Sequence, residues 1–325
     1  METYKNQLVD ALEELVKDPK CFLLGEDIED PYGGAYALTK GLSTKYPGKL
    51  INTPMSEQGF TGLGVGMALA GYKPIIEIMF GDFSTLIMDQ ILNHASKFVE
   101  GFEKELHLVV RDPMGGYRGY GATHSQSLEK IYMGLPNIAV VSPSVLHDPG
   151  KLLKKSVELG IPVIFVENKL DYTRKMFSSD KISSEYKISY HGGDFPIAEV
   201  SFPDEKSETT IISYGGLISP LLAMMYDLYM EEEIPVRLLD ISGLSPMDFD
   251  LVANLIEGNK NIITIEEGHV PFGLGDGIIS NLAQRGIKSN YISVGAKQHI
   301  IGTSIEAESK ALPQIEDIKN LIINL

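Results

Sequence analysis

The sequence predicts an α/β protein made of two doubly wound units, and three observations carry that expectation. Short apolar runs alternate with amphipathic stretches from residue 1 to 167, and the same alternation starts again at Thr209. Such helix, strand, helix order indicates parallel sheets covered on both faces. The stretch between them, Lys169 to Phe202, has no clear period and carries Gly192-Gly193 and Pro196, with Pro203 just beyond. The length, 325 residues, exceeds the roughly 250–300 at which a single core stops growing. The expected division is therefore residues 1–175, a linker over 176–205, and residues 206–325.

Each element follows from its local pattern. Leu8, Ala11, Leu12, Leu15 and Val16 recur at helical spacing, and Asp18-Pro19 stops that helix. Cys21 to Gly25 reads as a buried strand that delivers Glu26, Asp27, Glu29 and Asp30 to a loop. A helix is expected over Ala35 to Tyr46 and an extended stretch over Lys49 to Asn52. Ser56-Glu57 then opens a helix whose small residues Gly59, Gly62, Gly66 and Ala70 share one face, the Ser56 side chain being the expected cap. Ile75 to Phe80 is a strand, Gly81-Asp82-Phe83-Ser84 turns into a further helix, and Leu106 to Val110 is a strand. A helix from about Ser127, a strand over Ile138 to Ser142, a helix from about Asp148 and a strand over Pro162 to Glu167 complete the first unit. The second has strands at Thr209 to Ser213, Val236 to Asp240 and Asn261 to Glu266, helices around Ser219 to Glu232 and from about Gly275, and a last strand and helix.

Composition removes several classes of function. A formal charge of −16 argues against binding a phosphate backbone, so nucleic acid is not an expected partner. No apolar run reaches the roughly 18 residues of a membrane helix, and the N-terminus lacks a secretory or transit pattern, so a cytoplasmic protein is expected. The lone Cys21, in an apolar run, allows no intramolecular disulfide and reads as a buried thiol.

Four positions stand out as chemistry. Glu26 comes straight off a strand, where open α/β sheets place their ligands, although a solvated acidic loop is the competing reading. Glu57 sits at a helix start. His124 ends a loop of seventeen residues, Arg111 to Ser127, rich in Gly, Arg and Tyr, and a loop this long in a compact domain is usually functional. Phe83 lies near a strand end. Gly62-Leu63-Gly64-Val65-Gly66-Met67 fails as a dinucleotide fingerprint, because Met67 replaces its third glycine. Gly275-Asp276-Gly277 resembles the opening of a magnesium-diphosphate site but lacks the second ligand, and reads as a helix start capped by Asp276. No metal-ligating cluster is expected. So sparse a set suits an enzyme whose organic cofactor carries the electronics.

Thr53-Pro54-Met55-Ser56-Glu57-Gln58-Gly59-Phe60, the stretch Pro74 to Lys97, Gly121 to Ser127 and Glu266 to Gly277 together resemble the beta subunit of the thiamine-diphosphate-dependent 2-oxoacid dehydrogenases. This is the E1 component family of pyruvate and branched-chain oxoacid dehydrogenases. The resemblance implies a pyrimidine-binding, transketolase-like N-terminal domain and a transketolase-like C-terminal domain. It implies that Glu57 pairs with the cofactor aminopyrimidine, Phe83 stacks on it, Met79 lies close to it, His124 handles the substrate carboxylate or acyl group, and Glu26 belongs to a proton-relay region. It further implies thiamine diphosphate with Mg2+ held mainly by an alpha subunit, an α2β2 heterotetramer, a small 2-oxoacid substrate and a lipoyl-bearing E2 as acceptor. Asn52, the Arg- and Tyr-rich loop and Gly295 to Gly302 depart from the family pattern. A split transketolase-like biosynthetic enzyme and a non-catalytic assembly subunit are the alternative readings.

Overall fold

The computed structural model describes residues 2–179 and 182–325, so residues 180 and 181 of the expected linker, and Met1, lie outside the described residues. Helix α1 (Tyr4–Leu15) starts at Thr3, whose hydroxyl accepts the Asn6 N–H at 3.2 Å. Five parallel strands then follow in chain order: β1 (Cys21–Gly25), β2 (Leu50–Asn52), β3 (Lys73–Glu77), β4 (Val109–Met114) and β5 (Ala139–Val141), interrupted by helices α2 (Leu42–Lys45), α3 (Glu57–Leu69) and α4 (Ser96–Gly101). Helix α5 (Pro149–Glu158), capped by Asp148, leads into β6 (Val163–Asn168). Beyond the first unit lie β7 (Lys187–His191), β8 (Ile197–Ser201), β9 (Thr209–Ser213), α6 (Ile218–Glu232), β10 (Val236–Ile241), β11 (Gly243–Ser245), α7 (Phe249–Ile256), β12 (Asn261–His269), α8 (Leu274–Gln284), β13 (Asn290–Ala296), α9 (Ile305–Ser309) and α10 (Ile315–Ile323).

The first sheet has the order β11-β5-β6-β4-β3-β1-β2 and the second β13-β12-β9-β10-β8-β7. Alternation sorts the first sheet's side chains to two faces. Leu23, Ile75, Val109, Val163 and Ala139 pack with α1 and α5, whereas Leu24, Ile76, Val110, Ile164 and Val140 pack with α3 residues Phe60, Val65 and Ala68. The second face continues into Ile212, Leu239 and Ile262 of the second sheet with Ile278 and Leu282 of α8, so one core spans both sheets. The far side of the second sheet is covered by α6 and α10. The α/β class with two such units is thus as expected from the sequence.

Several elements differ from expectation. In place of a helix over Ala35 to Tyr46 only α2 forms, because Gly33, Gly34, Ala37 and Gly41 all take positive φ, which no α-helix continues through. Asp30 fastens this segment: its carboxylate accepts from Thr44 Oγ1 at 2.6 Å, Gly41 N–H at 2.6 Å and Ser43 Oγ at 2.8 Å, and these bonds hold it well below the usual carboxylate range. Glu29 is tied to Asn52, whose side-chain oxygen accepts the Glu29 N–H at 3.0 Å. The helix expected from Ser127 is a single 3-10 turn, Glu129–Ile131. Strand β4 runs four residues past the expected Val110 end, since Arg111 is neutralised inside the sheet by Glu77 and Glu167. Within the span read as linker, β7 and β8 form an antiparallel hairpin on β10. Strand β11 was not expected; it leaves the second unit to pair antiparallel with β5. Cys21 is buried, and burial pushes its thiol up to about 12.

Ser144, His147 and Asp240 meet in the core, but not as a nucleophilic relay. Asp240 accepts from Ser144, and His147 Nδ1 lies 3.2 Å from its carboxylate, while His147 Nε2 bonds to the Pro196 carbonyl at 3.1 Å. The trio fastens the loop after β5 to the second sheet.

Candidate active site

The order β6-β4-β3-β1-β2 sets the carboxyl ends of five parallel strands side by side. Ligands of such sheets bind at this edge. The residues just past those ends are, in the same order, Lys169, the loop leading to His124, the segment Met79 to Phe83, Glu26, and Glu57 at the first turn of α3. Four of these five strand ends carry a residue expected from the sequence.

Glu57 opens α3, as expected, but Ser56 makes no side-chain cap bond. The Glu57 carboxylate is half-buried and makes no hydrogen bond among the described residues. Its charge faces Glu26. Burial, then the charges of Glu57 and Asp27, push the Glu26 carboxyl above its ordinary value, and Glu26 Oε1 has no partner among the described residues. Burial and a neighbouring negative charge both disfavour the ionised form of a carboxyl. A raised carboxyl in the fold contributes stability below its unfolded value and loses it as pH rises. Glu26→Gln is therefore expected to raise the thermal midpoint of the chain by a few degrees at pH 8, and by less at pH 5. Equal gaps at both pH values, or a lower midpoint, would contradict the raised value.

The neighbouring strand ends carry an aromatic cluster. Phe80 and Phe83 lie 6.0 Å apart by ring centroids, and His124 meets them edge-on at 4.7 Å and 5.3 Å. Tyr36 and Tyr120 extend the cluster from Phe80. Met79 and Phe83 are half-buried, and α3 packs on the 3-10 turn Gly81–Ile87 that carries Phe83. Asp82, beside Phe83, is buried. Its Oδ1 accepts from Gln126 Nε2 at 2.8 Å and its Oδ2 has no partner.

The histidine loop is held from below by Lys169, a fully buried amine. Its Nζ donates to the His124 carbonyl at 2.5 Å and lies 5.3 Å from the Phe80 ring centre. Burial lowers this ammonium to about 8, against the opposing charges of Asp82, Glu267 and Glu308. Arg118 donates to the Lys169 carbonyl at 3.1 Å and covers Tyr120. Phe80, Asp82, Gln126 and Lys169 were not singled out from the sequence. Lys169 carried a usable signal, since it follows a parallel strand as Glu26 does; the others carried none.

The Gly275 to Gly277 helix start is filled by the chain itself. Glu266, not Asp276, accepts the Leu274 and Gly275 N–H groups at 3.2 Å and 3.1 Å, while Asp276 reaches back to the Phe272 N–H at 2.8 Å. Burial raises Glu266 to about 7. A Cβ at Gly273 would stand 2.1 Å from that carboxylate, so α8 offers no open cradle for a diphosphate.

The strand-edge site, by contrast, suits half of a flat, nitrogen-bearing cofactor ring: unpartnered carboxylate oxygens on one side, aromatic and thioether surface on the other. No diphosphate cradle accompanies it on this chain's α8.

Comparison with known proteins places these features. The family model of the transketolase pyrimidine-binding domain matches residues 3–175, and that of the transketolase C-terminal domain matches residues 198–318. The chain is 32% identical to the Arabidopsis thaliana pyruvate dehydrogenase E1 component subunit beta-1, mitochondrial, over 97% of this chain and 87% of that one. It is 31% identical to the Homo sapiens pyruvate dehydrogenase E1 component subunit beta, mitochondrial, over 94% of this chain and 85% of that one. A solved structure titled split gene transketolase, inactive beta4 tetramer, superposes with a TM-score of 0.74 at 20% identity over 99% of this chain and 97% of that one, a likeness of fold alone.

Proposed function

Because the chain belongs to the family of transketolase-type E1 component beta subunits, we propose that it activates thiamine diphosphate in a 2-oxoacid dehydrogenase, as the beta half of an α2β2 heterotetramer. The observation that carries this reading is the row of Glu57, Glu26, Phe83 and His124 along adjacent strand ends, with carboxylate oxygens that no group among the described residues satisfies. When bound, thiamine diphosphate supplies the electron sink for decarboxylation of the 2-oxoacid. Glu57 would hold a proton against a ring nitrogen of the aminopyrimidine, and Phe83 and Met79 would pack on that ring. Glu26, at the neighbouring strand end and raised above its ordinary value by burial and by the charge of Glu57, would be the second carboxyl of the proton-relay region. His124, fixed edge-on to two phenylalanines, meets the substrate carboxylate or the acyl group. Tyr36, Phe80, Phe83 and Tyr120 would line that space with aromatic surface.

The filled α8 terminus supports assigning Mg2+ and the diphosphate to an alpha subunit, and the exposed Gly59, Gly66 and Ala70 on α3 suit a closely approaching partner. Acyl transfer to a lipoyl-bearing E2 completes the proposed reaction. The domain division proposed is 1–175 for the pyrimidine-binding part and 206–325 for the C-terminal part. No helix among the described residues is long and apolar enough to cross a membrane. A reducing compartment, the cytoplasm, is the proposed location; the relatives named above are mitochondrial. The curated relatives favour the E1 reading over a biosynthetic split transketolase, whose likeness is to the fold only.

The test is co-expression with an alpha partner and assay of 2-oxoacid turnover with an artificial electron acceptor. Turnover requiring both chains and thiamine diphosphate is expected. Absence of turnover with pyruvate and with branched-chain oxoacids by a well-folded pair would overturn the assignment. Tight binding of the cofactor by this chain alone would overturn the division of labour.

A further inference from the structure

The loop from Gly115 to His124 is rich in glycine and has no regular secondary structure to hold it. Gly115, Gly119 and Gly121 have φ of +99°, +72° and +84°, which glycine takes freely, whereas Tyr117 at +63° is a conformation that a side-chain-bearing residue keeps only where its surroundings impose it. Those surroundings come largely from the second unit. Glu308 of α9 is fully buried and its Oε2 accepts the Gly119 N–H at 2.6 Å. Glu267 of β12 accepts the Gly116 N–H, and Tyr117 Oη donates to the Pro313 carbonyl at 2.7 Å. Ile305 closes on Gly119 so tightly that a Cβ there would stand 2.9 Å from its side chain.

Burying a carboxylate this completely is costly unless it is paired or hydrogen-bonded. Among the described residues Glu308 makes one such bond, to loop backbone, and its Oε1 has no partner. Lys169 supplies the balancing positive charge from the far side of the same loop, where it also grips the His124 carbonyl.

We propose that Glu308 is a positioning residue for His124: the C-terminal unit, through this buried carboxylate, fixes the glycine-rich loop so that the imidazole stands against Phe80 and Phe83. The proposal rests on the reading of His124 given above. It assigns the second unit a direct part in shaping a site whose own groups all come from the first. A charge-assisted bond to a backbone N–H is short and strong, and its loss frees a glycine-rich segment that has many other conformations open to it. The imidazole five residues further along then loses its fixed place.

The readout is the histidine Cε1–H signal of the full chain labelled with 13C-histidine, where the His124 peak is identified by its absence in His124→Ala. In the native chain that peak is displaced by the ring currents of Phe80 and Phe83. Glu308→Ala, and Glu308→Asp, which keeps the charge but shortens its reach, are expected to move the peak toward the position of a solvent-exposed histidine. Glu308→Gln, whose carbonyl still accepts the Gly119 N–H, is expected to leave it near the native position. In the pair reconstituted with an alpha subunit, Glu308→Asp is expected to lower kcat by about 100-fold while thiamine diphosphate affinity stays within about twofold. A native His124 peak in folded Glu308→Asp, or native kcat in that variant when His124→Ala is inactive, overturns the positioning role. Unchanged turnover in His124→Ala instead overturns the role of the histidine itself, whichever way the Glu308 variants behave.

Discussion

Glu57→Ala is expected to lower thiamine-dependent 2-oxoacid turnover of the reconstituted pair by about 100-fold to 10,000-fold, the range of a positioned proton-transfer group. The fold gives no reason for a loss of stability to accompany it. Glu57 is half-buried at the first turn of α3 and bonds to no group among the described residues, so the thermal midpoint of the chain is expected to move by no more than about 2 °C. Removing its charge also relieves Glu26, whose carboxyl is raised partly by Glu57. Glu57→Gln separates charge from shape: it can still hydrogen-bond a ring nitrogen but cannot take up the proton. Both variants are expected to lose kcat, with the larger part lost already in Gln. Turnover at the native level in Glu57→Ala, for every oxoacid tried, would remove the central assignment.

The largest structural effect is expected at Arg111. This guanidinium lies wholly inside the sheet, where Nε and Nη2 donate to Glu167 at 2.6 Å and 2.8 Å and Nη1 donates to Glu77 at 2.5 Å. Tyr172 adds a hydroxyl to Glu167, and Glu77 and Arg111 face each other across β3 and β4. Arg111→Met leaves two buried carboxylates without their cation, a loss of about 3–5 kcal/mol. In the variant those carboxyls are pushed up, so stability is present at low pH and is lost as pH rises. The denaturant midpoint of Arg111→Met is therefore expected to fall furthest below native at pH 8 and to recover in part at pH 5.5. Replacing Glu77, Arg111 and Glu167 together by apolar residues of similar volume is expected to restore much of the loss, because the cost lies in the unpaired charge rather than the missing bridge. A midpoint deficit that is the same at both pH values would mean that the network is not the source.

The candidate site was legible in proportion to how local its signals are. Glu26 and Glu57 were visible because each follows a short apolar run or opens a helix, and both patterns are contained within a few residues. Phe83 and His124 stood in the right order along the chain, but their edge-on contact depends on β3 and β4 lying side by side, which no spacing reveals. Where local rules failed, another force had won. Arg111 and Asp112 looked like loop because charged residues rarely lie in a central strand, and only the carboxylates of neighbouring strands make Arg111 at home there. Residues 35–46 looked helical by composition, but Asp30 and a series of positive φ values hold them in turns. Ser56 looked like a cap and is not one, and Asp276 yielded that role to Glu266 from β12.

By itself the sequence determined the α/β class, the two units, and four of the groups at the strand edge, since periodicity and strand-end position are properties of a chain read a few residues at a time. Tertiary structure decided what surrounds them: the Glu57 charge beside Glu26, the aromatic wall, the Lys169 grip, and the Glu267 and Glu308 carboxylates that hold the histidine loop from 151 and 189 residues away. The physical reason is that burial and electrostatics act through space. A carboxylate with no signature in its own neighbourhood acquires its role only when folding brings a backbone N–H and a buried cation to its sides.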